Sequence, residues 1–314
     1  MSPANASPIS AGAPSPMVGP ASGFAATPIS PRPMRRKLVE MLRSFLRHAG
    51  IEVLHHTDDP VLQSLMAARE TLRVSPNLPP WRSDSLLSQV AALAHVRNLL
   101  RSCAINLVVD IGANKGQFAQ SVRRLGYAGR IVSFEPLADA HAALHAAAGG
   151  DPAWQVHRLA LGDMAAELPL NVYRDTVFSS LHTANSAGQS RFSDLLALDH
   201  IETVPVRTLD SVASDLLPTD SATRILLKTD TQGHDLAVLQ GARATLTRTA
   251  AVITEASISP IYEGSPTYLE IIRFLVGAGF KPSGIYPISH DDRDFSLIEV
   301  DCCFVRSPLS PQRA

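Results

Sequence analysis

Residues 107–118 constrain the fold more than any other stretch. Leu107-Val108-Val109-Asp110-Ile111-Gly112-Ala113-Asn114-Lys115-Gly116-Gln117-Phe118 runs from an apolar segment into a Gly-x-Asn-x-Gly turn and then into a helical period. A strand that turns this sharply into a helix is the opening unit of an α/β domain on a parallel sheet. Gly112 permits the turn and lets a ligand approach the backbone closely. The N-terminus of the next helix offers free N–H groups and a positive dipole end to an anion. A dinucleotide pyrophosphate wants Gly-x-Gly-x-x-Gly, whereas Asn114 holds the middle place here and residue 117 is Gln. A smaller anion such as a carboxylate suits the turn better, and a tight βα turn without a ligand is the plain alternative.

The rest of the chain agrees with that opening. Strand-like runs at Asn106–Ile111, Arg130–Phe134, Trp154–Leu161, Arg224–Thr229 and Ala250–Thr254 alternate with helical periods near 116–125, 137–147 and 234–247. Alternation of this kind gives a mostly parallel sheet covered by helices on both faces. Phe280–Tyr286 and Phe295–Val305, joined by the polar His290–Asp294, read as a β-hairpin that ends the sheet in an antiparallel strand. The stretch 174–200 reads as a long acceptor-site loop or lid, with 257–268 as a second variable loop.

Ahead of this domain the texture differs. Residues 1–33 hold eight of the chain's 23 prolines and a single charge, Arg32, so they have almost nothing to bury and read as a disordered tail. Residues 34–104 read as a helical region. Its first helix, 34–49, sets Leu38, Met41, Leu42, Phe45, Leu46 and Ala49 on one face amid basic residues. That helix suits packing on the main domain, or peripheral contact with an anionic membrane surface. A second stripe, Leu86, Leu87, Val90, Leu93, Ala94 and Leu100, predicts another helix. Residues 105–307 form the α/β domain and 308–314 a short C-terminal tail. The 28 basic and 29 acidic residues disfavour a nucleic-acid partner bound through bulk charge. Without 18 consecutive apolar residues, a membrane-spanning helix is not expected. Three cysteines, two of them the adjacent Cys302 and Cys303, suggest a reducing, cytoplasmic setting, with the basic helix able to reach the inner face of the membrane.

Acids at the strand ends narrow the ligand. Glu135 closes the second strand, where a carboxylate can accept from both hydroxyls of a ribose, or simply be a solvated loop acid. Asp163 follows the third strand, where it serves as a turn or cap residue or accepts from an exocyclic amine such as that of adenine. A turn for a carboxylate, an acid for a ribose and an acid for an amine together describe S-adenosylmethionine. At the end of the fourth strand Asp230 faces the crevice, His234 follows at the start of the next helix, and Glu255 ends the fifth strand. These three can converge on one acceptor oxygen.

In this combination the chain resembles the FkbM family of S-adenosylmethionine-dependent methyltransferases over about residues 105–307. The resemblance rests on VDIGANKGQFA (109–119), FEP (134–136), ALGD (160–163), FSSL (178–181), VRTLDS (206–211), LLKTDTQGHDLAVLQGA (226–242), EASISPIYEG (255–264) and VDCCFVR (300–306). It implies a class I methyltransferase fold, a Rossmann-like three-layer sandwich around a mostly parallel seven-stranded sheet with the last strand antiparallel. It also implies O-methyl transfer to a hydroxyl of a sugar, glycolipid or secondary metabolite. Carried over by position, Asp110, Gly112, Asn114 and Gly116 would hold the methionine end of the cofactor, Glu135 the ribose and Asp163 the adenine. The chain departs from the family's commonest pattern at Thr229, Gln232, His234 and Asp235, so no carboxylate role is carried over to position 232.

A hydroxyl is a weak nucleophile at neutral pH, so a base or a metal is expected. Either His234 is the base and an acid orients it, or Asp230 and Glu255 hold a divalent cation such as Mg2+, since hard cations prefer oxygen ligands. His182 is a second base candidate, and it joins Ser180 in the acceptor loop. Two alternatives outside this reading are an NAD(P)-dependent Rossmann oxidoreductase and a non-catalytic cofactor-binding scaffold.

Overall fold

The computed structural model describes residues 59–75, 78, 80–218 and 220–306. The expected tails 1–33 and 308–314 and the basic helix 34–49 lie outside these residues. In chain order the elements are helices α1 (Pro60–Val74) and α2 (Pro80–Ser102), β1 (Leu107–Ile111), α3 (Gln117–Arg124), β2 (Arg130–Phe134), α4 (Ala138–Ala148), β3 (Trp154–His157), β4 (Ala160–Leu161) and β5 (Ala166–Tyr173). They continue as α5 (Ser186–Phe192), β6 (Leu198–Arg207), α6 (Leu209–Leu216), β7 (Ile225–Thr229), α7 (Asp235–Gln240), α8 (Arg243–Arg248), β8 (Thr249–Ser257), α9 (Tyr268–Gly277), β9 (Phe280–His290) and β10 (Leu297–Arg306).

Seven strands form one sheet in the order β3-β2-β1-β7-β8-β10-β9. β10 runs antiparallel to both neighbours, with Cys303 opposite Ile253 of β8 and Gly284 of β9. The expected three-layer α/β sandwich is therefore present. Side chains alternate across it, as strand geometry requires. Leu107, Val109, Ile111, Leu227 and Val252 join α6, α7, α8 and α9 on one face. Val108, Leu226, Ile253 and Cys303 join α2, α3 and α4 on the other. Local signals set the helix ends. Asp59 caps α1 by accepting from the Val61 and Leu62 amides, with Pro60 at the first helical position. Thr267 and Glu270 form a reciprocal capping box at α9.

Three expectations need correction. The run Trp154–Leu161 is two strands, not one: β3 stays in the large sheet, and β4 pairs with β6 in a separate sheet ordered β4-β6-β5. The helix expected near 234–247 is two short helices interrupted at Gly241 and Ala242, where a Cβ on Gly241 would lie 1.9 Å from the Gly162 carbonyl oxygen. The stretch 174–200 is not a plain loop. It contains a 3-10 turn at Thr176–Phe178, helix α5 and the start of β6. Among the described residues no helix is long and apolar enough to cross a membrane.

Candidate active site

The strand order reverses between β1 and β7, and the crevice beyond the carboxyl ends of those strands is where an open α/β sheet takes its ligands. A cleft of about 590 Å³ opens there, bordered by Gly112, Asn114, Glu135, Ser180, Lys228, Asp230, Gln232, His234, Glu255, Glu299 and Asp301, among others. Its size suits a small-molecule ligand.

The glycine turn forms one wall. Gly112 sits at φ +71°, and a Cβ there would meet the Asp230 carbonyl oxygen at 1.9 Å, so β1 and β7 can approach this closely only with glycine. The turn consumes most of its own amides. Those of Gly112 and Ala113 donate to the Phe134 carbonyl, that of Asn114 to Glu135 Oε2 (2.8 Å), that of Lys115 to Gln117 Oε1 (3.1 Å) and that of Gly116 to the Ala113 carbonyl. The donors left for an anion are the first amides of α3, at the cleft-lining Gln117 and Phe118. Asn114 Oδ1 is buried without a partner, an acceptor still to be satisfied. Glu135 accepts a second amide, from Leu137, at 2.9 Å. Burial lifts its carboxyl to about 7, against the pull of those two amides.

Behind the turn lies a group that the sequence reading passed over. Lys228 is buried, its Nζ donating to the Gly112 carbonyl (3.1 Å) and standing 3.3 Å from both Asp110 Oδ1 and Asp230 Oδ2. Asp110 is completely buried and does not border the cleft. Burial raises its pKa, opposed chiefly by Lys228. The same two carboxylates hold the Lys228 ammonium above its usual range, outweighing desolvation. A signal did exist: a lysine inside the apolar strand Ile225-Leu226-Leu227-Lys228-Thr229.

Asp230 and Glu255 are brought together by Gln232. Its Nε2 donates to Asp230 Oδ1 (3.1 Å) and to Glu255 Oε1 and Oε2 (3.1 and 3.3 Å). Its Oε1 lies 2.9 Å from the Tyr262 hydroxyl, and its backbone is left-handed at φ +52°. An amide nitrogen thus fills the space between the two carboxylates, and among the described residues no group of three or more His, Cys, Asp or Glu is arranged to hold a metal ion. The alternative of Mg2+ on Asp230 and Glu255 finds no support in this arrangement. The hairpin adds two acids that the sequence reading did not single out. Asp301 stands opposite Glu255 in the β8–β10 register, and Glu299 lies two residues away. Burial raises Glu299 and Asp301 to about 7, and burial with the nearby Glu299 and Asp230 raises Glu255 well above the ordinary carboxylate range.

His234 lines the opposite wall. A Cβ on Gly162 would come within 2.8 Å of its Nε2, so that glycine makes room for the ring. Its Nδ1 lies 3.1 Å from His182 Nε2, and His182 Nδ1 lies 3.1 Å from the Glu263 carbonyl oxygen. A carbonyl only accepts, so His182 carries its proton on Nδ1, and a neutral His182 then receives the Nδ1–H of His234. His234 is oriented by a histidine rather than by the expected acid. Burial, with His182 beside it, lowers its pKa to about 4. Ser180 is buried; its hydroxyl donates to the Gln232 carbonyl (2.6 Å) and accepts from the His182 amide (2.9 Å). His182 and Asp163 do not border the cleft, and Asp163 is exposed.

The family model of the methyltransferase FkbM domain matches residues 110–282, more than half of the 314-residue chain. Among curated proteins no sequence matches. Among solved structures, the chain is similar to the O-methyltransferase from Bacillus cereus in complex with SAH, at 10% identity and a TM-score of 0.40, covering 85% of this chain and 97% of that one. It is also similar to magnesium protoporphyrin IX methyltransferase from Synechocystis PCC 6803 with bound SAM, at 9% identity and a TM-score of 0.40, covering 81% and 100%. Aeropyrum pernix fibrillarin with natively bound S-adenosyl-L-methionine gives 12% identity and a TM-score of 0.39, covering 68% and 74%.

Proposed function

The chain belongs to the FkbM methyltransferase family, and from that premise we propose that it moves a methyl group from S-adenosylmethionine to a hydroxyl oxygen of a small-molecule or glycolipid acceptor. Membership in a methyltransferase family displaces the NAD(P)-dependent oxidoreductase and the non-catalytic scaffold. The observation that carries the proposal is the setting of Asp230: a carboxylate at the carboxyl end of β7, on the cleft wall, held between the Lys228 ammonium at 3.3 Å and the Gln232 amide at 3.1 Å.

The residues present fit the cofactor. Asn114 Oδ1, buried and unpartnered, can accept from the α-ammonium group, and the open Gln117 and Phe118 amides suit the carboxylate. Glu135 would take the ribose with the acceptor capacity left after its two amide bonds. When bound, S-adenosylmethionine supplies an electrophilic methyl carbon on a sulfonium sulfur. Asp230 orients the acceptor hydroxyl and receives its proton. Lys228 and Gln232 fix the Asp230 carboxylate, so little reorganisation remains at the moment of transfer. Burial and the neighbouring carboxylates favour the protonated form of Glu255, in which it can donate to a second acceptor oxygen. His234, neutral and turned toward His182, shapes the wall beside Gly162.

Mass spectrometry of lipids and oligosaccharides tests this directly. Deleting the gene removes one methyl group from the acceptor, the wild-type gene restores it, and Asp230→Ala does not, although that protein binds S-adenosylhomocysteine within a few-fold of wild type. Methylation restored by Asp230→Ala removes Asp230 from the mechanism.

A further inference from the structure

The cleft extends past the residues that would hold the cofactor and the reacting hydroxyl. Beyond Asp230 it continues between α2 and α3, where its walls are Ala92, Leu93 and Val96 on one side and Phe118 and Val122 on the other, over Ile253. Val96, Val122 and Ile253 are core residues, yet they border this space. The polarity changes in one step along the strands. On the same sheet face, Ile253 of β8 precedes Glu255 by two residues, and its register partner Cys303 of β10 follows Asp301 by two. The carboxyl groups therefore end where the apolar walls begin. Polar groups in the α2–α3 part are Gln89, exposed on α2, Gln117 and Ser121. Lys228 lies at its edge, beside Ile253 in the sheet and with Nζ 5.7 Å from the centre of the Phe118 ring, but is already paired with Asp110 and Asp230. α2 is a fixed wall. Ser85 Oγ donates to the Ile288 carbonyl (2.9 Å), and His95 Nδ1 is hydrogen-bonded to the Tyr286 hydroxyl, both on β9. α2 also precedes the matched residues 110–282, so this wall belongs to the chain's own N-terminal region.

We propose that the α2–α3 compartment binds an uncharged hydrocarbon portion of the acceptor, so that the acceptor is amphipathic, with its hydroxyl at Asp230 and its apolar body against Leu93, Val96 and Phe118. This rests on the methyl-transfer reading above for the word acceptor, but the compartment itself does not. An anionic tail would meet there only Lys228, already neutralised by Asp110 and Asp230, and would face the acids of β8 and β10. A hydrocarbon loses only its contact with water, which favours binding in proportion to the area covered. Side chains of α2 then decide how long or how bulky that portion can be.

Alkyl β-D-glucosides of increasing chain length, kept below their micelle concentrations, are the probe, titrated calorimetrically into the full chain with and without S-adenosylhomocysteine. Affinity should rise about three- to fourfold per added methylene. Ala92→Trp fills the compartment and should flatten that gradient while leaving S-adenosylhomocysteine affinity unchanged. Ser121→Trp does the same from the α3 wall and decides the matter if the first variant melts early. S-adenosylhomocysteine binding without a chain-length gradient overturns the compartment and leaves the methyl-transfer reading standing. A gradient without S-adenosylhomocysteine binding does the reverse. A gradient that survives in a folded tryptophan variant overturns the role of these walls.

Discussion

Replacing Lys228 by Met should be among the most damaging single changes in the domain, and its damage should depend on pH. Lys228 is buried, and it is the cation nearest the fully buried Asp110, 3.3 Å away. Lys228 is also the chief influence opposing the effect of burial on the Asp110 carboxyl. Removing one partner of a buried pair costs about 3–5 kcal/mol, because the other charge is left uncompensated. For a domain of this size that is a fall in melting temperature of roughly 6–20 °C. The sign with pH follows from linkage. The folded-state pKa of Asp110 is raised above its unfolded value and rises further without the cation. The stability belonging to protonated Asp110 is present below the unfolded pKa and is lost as pH climbs through the folded one. The deficit of Lys228→Met relative to wild type is therefore largest at neutral pH and above, and shrinks on acidification. Adding Asp110→Asn should recover much of the loss, since a neutral amide needs no cation. Differential scanning calorimetry of the four proteins in this cycle, at several pH values, measures it. A melting point for Lys228→Met within about 2 °C of wild type at neutral pH, or an Asp110→Asn change that deepens the loss, refutes the reasoning.

Other expectations follow from the same geometry. Glu135, raised to about 7, should make S-adenosylhomocysteine affinity fall as pH drops below about 7, because protonation removes acceptor capacity; calorimetry across that range should give a flat profile for Glu135→Gln. Methyl transfer should persist after dialysis against EDTA, since the Gln232 amide bridges Asp230 and Glu255; loss of activity that returns with added Mg2+ would contradict this. Gly162→Ala places a Cβ 2.8 Å from His234 Nε2 and 3.0 Å from Val206 Cγ1, and should destabilise the fold by about 1–3 kcal/mol in denaturant titrations.

What could be read from the sequence was what is local. The turn at 110–116 declares itself by a strand, two glycines and a helix in twelve residues, and the closing hairpin by two apolar runs around a polar link. Asp230 and Glu255 were visible because each ends an apolar strand. The second sheet was not, because β6 is largely exposed, each of its two longer strands carries a proline (Pro169 and Pro205), and β4 is two residues long. Lys228, Glu299 and Asp301 were passed over for a different reason. Each is a charge inside an apolar strand, and its meaning comes from register: Lys228 lies opposite Asp110, and Asp301 opposite Glu255. The His182–His234 contact joins residues 52 apart in the chain, and no spacing rule announces it.

The central claim is that the cleft at the ends of β1 and β7 is a site for S-adenosylmethionine. Isothermal titration of the purified chain with S-adenosylmethionine, S-adenosylhomocysteine and NAD tests it most directly. One site for each of the first two and no heat from NAD are expected. Saturable binding of NAD, with neither sulfur compound bound, would contradict it.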